Sequence, residues 1–372
     1  MQPNLPDPSA AGRQRVRKPG AEIVLICNPR AGGRWKELAE ILDSEECQHV
    51  RRIVTDSVED IAPAIADLGH EAKLLCIYGG DGTIQRILDR LSPTKHEQVS
   101  LAFIGGGTMN VTARWCGLDR SPADNFKEVV RGYVGGELLF KEINLLDIHN
   151  GPARYRGFTF GMGPIVRLLD AYERGAKGKL GALGTAGRGI MAALTGFPSD
   201  YRELLEQMHG QVTVDDEVLP YERFSAVFCN VTGQINPGVV PFVEKPTRDT
   251  FHYAAYAVTS REFTMNVAGL ARGWLPVEPK QLVRPDRVVR RLADPSPLKT
   301  RTPSDPRYVN RNAAHMEVLS DEQLFTVDGE ILQAADRHFD VSLGLQVRLA
   351  VSSRQTVAKA GKLLARRYLG RE

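Results

Sequence analysis

Residues 79–83 read Gly-Gly-Asp-Gly-Thr and follow an apolar run ending at Tyr78, so a buried strand leads into a loop of glycines around one carboxylate and one hydroxyl. Such a loop can hold phosphate: glycine lets backbone N–H groups approach an anion unobstructed, and a helix N-terminus favours negative charge. Thr83 opens a helical pattern carried by Ile84, Ile87, Leu88 and Leu91. Asp81 argues against bare phosphate, because two anions repel unless a cation or a hydrogen-bond network stands between them. Gly79, Gly80, Asp81, Gly82 and Thr83 together therefore point to a Mg²⁺-nucleotide. Taken alone, the same residues could make an ordinary tight turn.

A second loop of this kind follows the apolar run 99–104: Gly105, Gly106, Gly107, Thr108, Met109 and Asn110 lead into Val111, Arg114, Trp115 and Leu118 at helical spacing. A third, Asn28, Pro29, Arg30, Ala31, Gly32 and Gly33, joins a strand over 22–27 to a helix presenting Trp35, Leu38, Ala39 and Leu42. In a parallel sheet such loops emerge at the carboxyl-terminal edge, where open α/β folds bind ligands. No GxxxxGK[ST] occurs, which excludes a P-loop NTPase. Late in the chain, Asp328 and Glu330 flank Gly329 after a strand over 324–327. Two acids at i, i+2 can divide labour, one holding a cation and the other accepting a proton. Asp-Gly is equally the commonest hairpin signal.

The elements that must position these residues fall into two groups. Strand and helix patterns alternate over 21–27 and 34–43, 50–54 and 58–68, 73–78 and 84–91, 99–104 and 110–131, which predicts βα units on a parallel sheet. Thr55, after the second strand, reads as a cap of the helix near Val58. Gly132, Gly135 and Gly136 mark a boundary. Beyond them, short alternating runs at 138–148, 155–160, 211–214, 224–231, 251–258, 315–318, 324–327 and 346–351 predict an antiparallel sandwich. Helical stretches at 165–174, continuing through a glycine-rich 175–189, and at 263–274 interrupt it, and proline-rich 292–312 predicts one long loop. The expected fold is an α/β domain with a parallel sheet over 21–136 and a mainly antiparallel β-sandwich over 137–352. A disordered basic leader over 1–20 precedes them and a basic amphipathic helix over 353–372 follows.

At 372 residues the chain suits two domains, and a net charge of +3 is too small to imply nucleic acid. The C-terminal segment sets Val357, Leu363, Leu364 and Leu369 against Lys359, Lys362, Arg366 and Arg367; it either lies on an anionic membrane surface or docks on its own domain. No apolar run approaches the ~20 residues of a spanning helix. The expected location is cytoplasmic, peripheral at the inner membrane face when the basic helix engages lipid. Five scattered cysteines without CxxC spacing suggest reduced core thiols, and eight isolated histidines without HExxH are assigned to no metal.

Gly-Gly-Asp-Gly-Thr at 79–83, Asn-Pro-x-x-Gly at 28–32, Gly-Thr-x-Asn at 107–110 with Ala113-Arg114, and Asp-Gly-Glu at 328–330 together resemble the diacylglycerol kinase catalytic-domain family. That family includes bacterial lipid kinases and the sphingosine and ceramide kinases. The resemblance covers about residues 21–145 well and the remainder loosely. It implies ATP and Mg²⁺, a lipid alcohol as acceptor, a first domain like that of NAD kinases, and an active site in the interdomain cleft. The nucleotide is then expected against Asn28, Pro29, Arg30, Ala31, Gly32, Thr55, Gly79, Gly80, Asp81, Gly82, Thr83, Gly107 and Thr108, with Asn110 supporting the loop. Glu330 is implied as proton acceptor with Asp328 beside it, and Asp81 as a metal-side carboxylate. Asp249 matches the position that binds a structural Mg²⁺ in some bacterial relatives. The pattern departs from the family at Asn144, where Asp is frequent, at Gly105-Gly106, where Pro-x is frequent, and around residues 234–238. Implied partners are the lipid substrate, the membrane surface and, left open, a second copy in a homodimer. Two alternatives share these motifs: a small-molecule kinase of the NAD kinase type, and a catalytically silent ATP- and lipid-binding regulator.

Overall fold

The structure, a computed structural model, describes residues 22–31, 33–92, 94, 96, 98–107, 110–174, 204–235, 239–244, 246–276, 299–300, 305–352 and 354. The expected leader over 1–20, the glycine-rich 175–189 and, Arg354 apart, the helix over 353–372 lie outside the described residues. The chain divides into two compact units, one comprising Met1–Ile143 with Gln346–Glu372 and the other Asn144–Leu345. The division does not fall at the glycines near 136: Gly136, at φ 69°, follows the end of a helix, and the next strand runs on through the boundary.

In the first unit β1 (Ile23–Cys27), β2 (Arg51–Val54), β3 (Leu74–Gly79) and β4 (Ser100–Gly105) form a parallel sheet in the order β2-β1-β3-β4. Every residue of β1, β3 and β4 is buried, as expected of aliphatic runs without alternation in a sheet covered on both faces. The far edge of β4 is completed by the end of the chain: Arg348 and Leu349 pair in parallel with Ser100 and Leu101. Helices α1 (Trp35–Leu42), α2 (Ile61–Ala66), α3 (Asp81–Arg90), α4 (Val111–Trp115) and α5 (Pro122–Val134) connect and cover the strands. The single helix expected over 110–131 is two. Gly117, at φ 78°, follows α4, and the Ser121 hydroxyl accepts from the Asp124 N–H at 3.0 Å to cap α5, with Pro122 in its first turn.

The second unit holds two antiparallel sheets, built from β5 (Leu139–Asn150, from Asn144 on), β6 (Ala153–Gly157), β7 (Thr159–Met162), β8 (Met208–Val214), β9 (Glu217–Val218), β10 (Arg223–Phe224), β11 (Ala226–Asn230), β12 (Phe251–Tyr256), β13 (Leu275–Pro276), β14 (Lys299–Thr300), β15 (Tyr308–Ala313), β16 (His315–Ser320), β17 (Leu324–Val327), β18 (Glu330–Gln333) and β19 (His338–Val351, to Leu345), β13 and β14 forming a separate small pair. One sheet runs β10-β8-β16-β19, with β9, β5 and β6 attached; the other runs β15-β12-β11-β7-β17-β18. Phe339 of the first meets Phe160 and Phe325 of the second at ring-centre distances of 5.7 and 5.1 Å, which makes the pair a sandwich. Helices α6 (Pro164–Arg174) and α7 (Ser260–Leu270) flank the sheets in sequence; α7 starts earlier than its apolar pattern because the Thr259 hydroxyl caps it at the Glu262 N–H. Residues 292–312 are not one loop: β14 pairs with β13, and β15 runs the length of β12. The apolar alternation that would have revealed β15 is missing because its buried positions include Asn310, whose amide bonds to the Pro241 carbonyl and the Tyr256 hydroxyl. All five cysteines are free and buried, and no described helix is long and apolar enough to cross a membrane.

Candidate active site

The register of the parallel sheet aligns Cys27 with Val54 and Tyr78, and Gly79 with Gly105, so the loops after β1, β2, β3 and β4 leave one edge side by side. The connection from β1 goes to β2 on one side and the chain then crosses to β3 on the other. The order therefore reverses between β1 and β3, and such a switch point is where an open α/β sheet leaves a crevice. Asn28–Ala31 and Gly79–Thr83 flank it; Gly32 and Thr108 lie outside the described residues.

Asn28 is the knot of the first loop. Its N–H donates to the Tyr78 carbonyl, its side-chain oxygen accepts from the Arg30 N–H at 3.0 Å, and its carbonyl accepts from Ala31. Its amide nitrogen reaches Thr83 Oγ1 at 3.4 Å, joining this loop to the first turn of α3. Pro29 and Arg30 occupy the turn so formed. Tyr78, which sequence reasoning did not single out, lies beneath: burial pushes its phenol up to about 12, so it stays a donor, and it donates to the Ala31 carbonyl. Its signal was an aromatic residue closing an otherwise small and aliphatic strand. Thr55 is neither exposed nor a helix cap. It is 2% exposed, and its N–H and hydroxyl both donate to the Cys27 carbonyl; Asp60 closes the turn before α2 instead, accepting from Asp56 and Ser57.

The glycines serve first to let the two glycine loops interlock. The Gly106 N–H donates to the Gly79 carbonyl at 2.8 Å, and a Cβ on Gly107 would stand 2.9 Å from the Gly80 Cα. A Cβ on Gly106 would strike the Tyr78 ring at 2.7 Å, one on Gly105 the Asn110 side chain at 2.5 Å, and one on Gly79 Thr83 at 2.6 Å. At Gly80, by contrast, a Cβ would meet the Gly107 Cα at 3.8 Å, an ordinary van der Waals contact, so a side chain would fit there without a clash. Gly80 also precedes α3 without a side-chain cap, leaving the first-turn amides of Asp81 and Gly82 as donors.

Asp81 begins α3, two residues before the start suggested by Thr83. Burial raises its pKa, and hydrogen bonds from the N–H groups of Val111, Thr112 and Asn110 pull it back. Those amides are part of the network that absorbs the carboxylate charge. Asn110, left-handed at φ 48°, holds the second loop by donating to the Gly107 carbonyl at 2.7 Å. Two acceptor oxygens, Asp81 Oδ1 and Asn110 Oδ1, are nevertheless buried without a donor. An orphaned carboxylate oxygen and an orphaned amide oxygen are hard oxygen donors of the kind Mg²⁺ takes, so the residues fit a magnesium-bound nucleotide.

In the second unit, Asp328 and Gly329, at φ 52° and 92°, form the two-residue turn between β17 and β18. The Asp328 carboxylate accepts from the Phe158 N–H at 2.9 and 3.1 Å and from the Thr159 N–H at 2.8 Å, while its own N–H donates to the Thr159 carbonyl. Asp328 thus clamps the turn to the β6–β7 segment. Glu330 opens β18 opposite Val327 and is half-buried. The turn and the acidic pair are one feature, with Asp328 committed to holding it. Asp249 is exposed in the turn before β12 and belongs to no cluster of three ligand-type side chains among the described residues; Asn144 donates to the neighbouring Arg248 carbonyl.

A parallel α/β unit with interlocked glycine loops at its switch point and a second unit holding an antiparallel sandwich define a two-domain fold class. Residues 22–135 match the family model of the diacylglycerol kinase catalytic domain. That match supports a kinase, an enzyme that transfers phosphoryl groups. The fold is similar to that of a candidate diacylglycerol kinase from Bacillus anthracis str. Sterne, at TM-score 0.60 and 15% identity over 91% of this chain and 99% of that one. It is also similar to a diacylglycerol kinase from the same organism, at TM-score 0.54 and 17% identity over 91% and 99%. No curated protein matches the sequence.

Proposed function

We propose that this chain is an ATP-dependent lipid kinase that phosphorylates the hydroxyl of diacylglycerol or a related long-chain alcohol, with Mg²⁺. The observation that carries the reading is the interlock of the two glycine loops at the switch point, with the first amides of α3 left without a side-chain cap and the Asp81 and Asn110 oxygens in the same loops buried without a donor. Asn28, Pro29, Arg30, Ala31, Gly80, Asp81, Gly82, Thr83 and Gly107 bind the nucleotide, while Asp81 and Asn110 supply oxygens for the cation. Bound there, Mg²⁺ neutralises charge on the phosphates. In the transfer, the acceptor oxygen bonds to the γ-phosphorus, the bond to the bridging oxygen breaks to release ADP, and the hydroxyl proton passes to Glu330. Asp328 positions Glu330 by fixing the turn before β18. A lipid acceptor brings the protein transiently to the inner membrane face.

The test is incubation with labelled ATP and a mixed lipid extract, resolved by thin-layer chromatography, with NAD as a parallel acceptor. Labelled lipid phosphate is expected from the native chain and not from folded Asp81→Ala or Glu330→Gln. Label on NAD alone, or full lipid phosphorylation by Glu330→Gln, would overturn the proposal.

A further inference from the structure

On the β16–β19 ladder the cross-strand partners are His315 with Ser342, Glu317 with Asp340, and Leu319 with His338. Alternation along each strand therefore sets His315, Glu317, His338 and Asp340 on one face, while Met316, Val318, Phe339 and Val341 fill the core on the other. Single ligand atoms of His315, Glu317 and Asp340 all lie within 4.8 Å of one another. His315 Nε2 is 3.1 Å from Asp340 Oδ2, and His338 Nε2 is 3.8 Å from Glu317 Oε2. Metal–nitrogen and metal–oxygen bonds of about 2.0–2.2 Å place tetrahedral ligands roughly 3.3–3.6 Å apart, so small rotations of side chains on fixed strands suffice to converge His315, Glu317 and Asp340. The strand start is itself pinned, because Asp215 Oδ1 accepts from the N–H groups of Ala314 and His315. The four side chains are half-exposed or exposed, so an ion reaches them directly from solvent.

Imidazole nitrogens mixed with carboxylates suit a borderline ion, whereas Mg²⁺ prefers six oxygens. We propose that His315, Glu317 and Asp340, with a water in the fourth position, form a Zn²⁺ site on the outer face of the β16–β19 ladder. The ion clips two neighbouring strands of the sandwich and stabilises the folded chain by binding it in preference to the unfolded one.

The full-length protein, stripped with chelator, is titrated with zinc chloride against a chromophoric competitor, and crystals soaked in zinc are measured at the zinc absorption edge. One saturable site is expected, weakened at least about tenfold in His315→Ala and Asp340→Asn. His149→Ala, which removes the separate His149–Asp147 pair at 3.7 Å, is expected to bind as the native chain does. The anomalous peak is expected between His315, Glu317 and Asp340. Absence of saturable binding, undiminished binding in both ligand variants, or a peak elsewhere would leave one hydrogen-bonded and one longer His–carboxylate pair and overturn the site. The crystallographic arm decides even if a variant fails to fold.

Discussion

Replacing Asp328 separates holding the turn from doing chemistry. In Asp328→Ala the N–H groups of Phe158 and Thr159 lose their acceptor, and alanine must adopt the φ of 52° that aspartate tolerates better. Hydrogen bonds to a charged group contribute about 1.5–3 kcal/mol each. The left-handed backbone adds about 1 kcal/mol, for a total of about 4–7 kcal/mol, a large share of a typical stability of about 5–15 kcal/mol. Asp328→Asn keeps an acceptor oxygen and accepts the backbone, so about 1–2 kcal/mol is expected. Urea unfolding followed by tryptophan fluorescence measures both, and the folded fraction of each variant is then assayed for phosphoryl transfer. An Asp328→Ala midpoint equal to that of the native protein would refute the clamp. A stable but inactive Asp328→Asn would make the residue a catalytic group instead.

Two further outcomes follow from buried contacts. Gly107→Ala puts a methyl 2.9 Å from backbone at Gly80, and overpacking of about 1–3 kcal/mol should lower the melting temperature and raise KM for ATP more than KM for lipid; unchanged ATP affinity would break the link between loop interlock and nucleotide binding. Burial lowers the pKa of His252 to about 4, despite an opposing hydrogen bond with Asn312, from an unfolded value near 6.5. The unfolded chain therefore takes up the proton first as pH falls, so the contribution is intact above 6.5 and lost progressively toward pH 4. Denaturation curves at pH 7.5, 6 and 4.5 should show that loss in the native chain and less of it in His252→Gln; parallel curves would contradict the reading.

Much of the first unit was legible because each element announces itself locally: β1, β3 and β4 are unbroken aliphatic runs, and glycine loops follow β3 and β4. What stayed hidden depends on partners distant in sequence. The strand reading at 346–351 gave no hint that Arg348 and Leu349 return to β4. Asp81 suggested a cation, yet the amides of Val111 and Thr112 that share its charge belong to another helix. The break at Gly117 and the cap at Ser121 were readable, but the apolar spacing across 110–131 masked them. Asp-Gly at 328–329 by itself favoured a hairpin, and only the family resemblance made it an acidic site; the fold shows the hairpin turn, with the Asp328 carboxylate holding it to Phe158 and Thr159.

The pairing of Arg348 with Ser100 fixes an order of events during synthesis. The parallel sheet is finished by residues that leave the ribosome only after the whole Asn144–Leu345 stretch, a delay of roughly 10–40 s at about 5–20 residues per second. Through that interval the nascent β4 presents an unpaired edge, the kind of surface that recruits stray strands. A fragment cut after residue 135 would keep that edge open permanently, so the stretch matched by the family model is shorter than the unit that can close its own sheet.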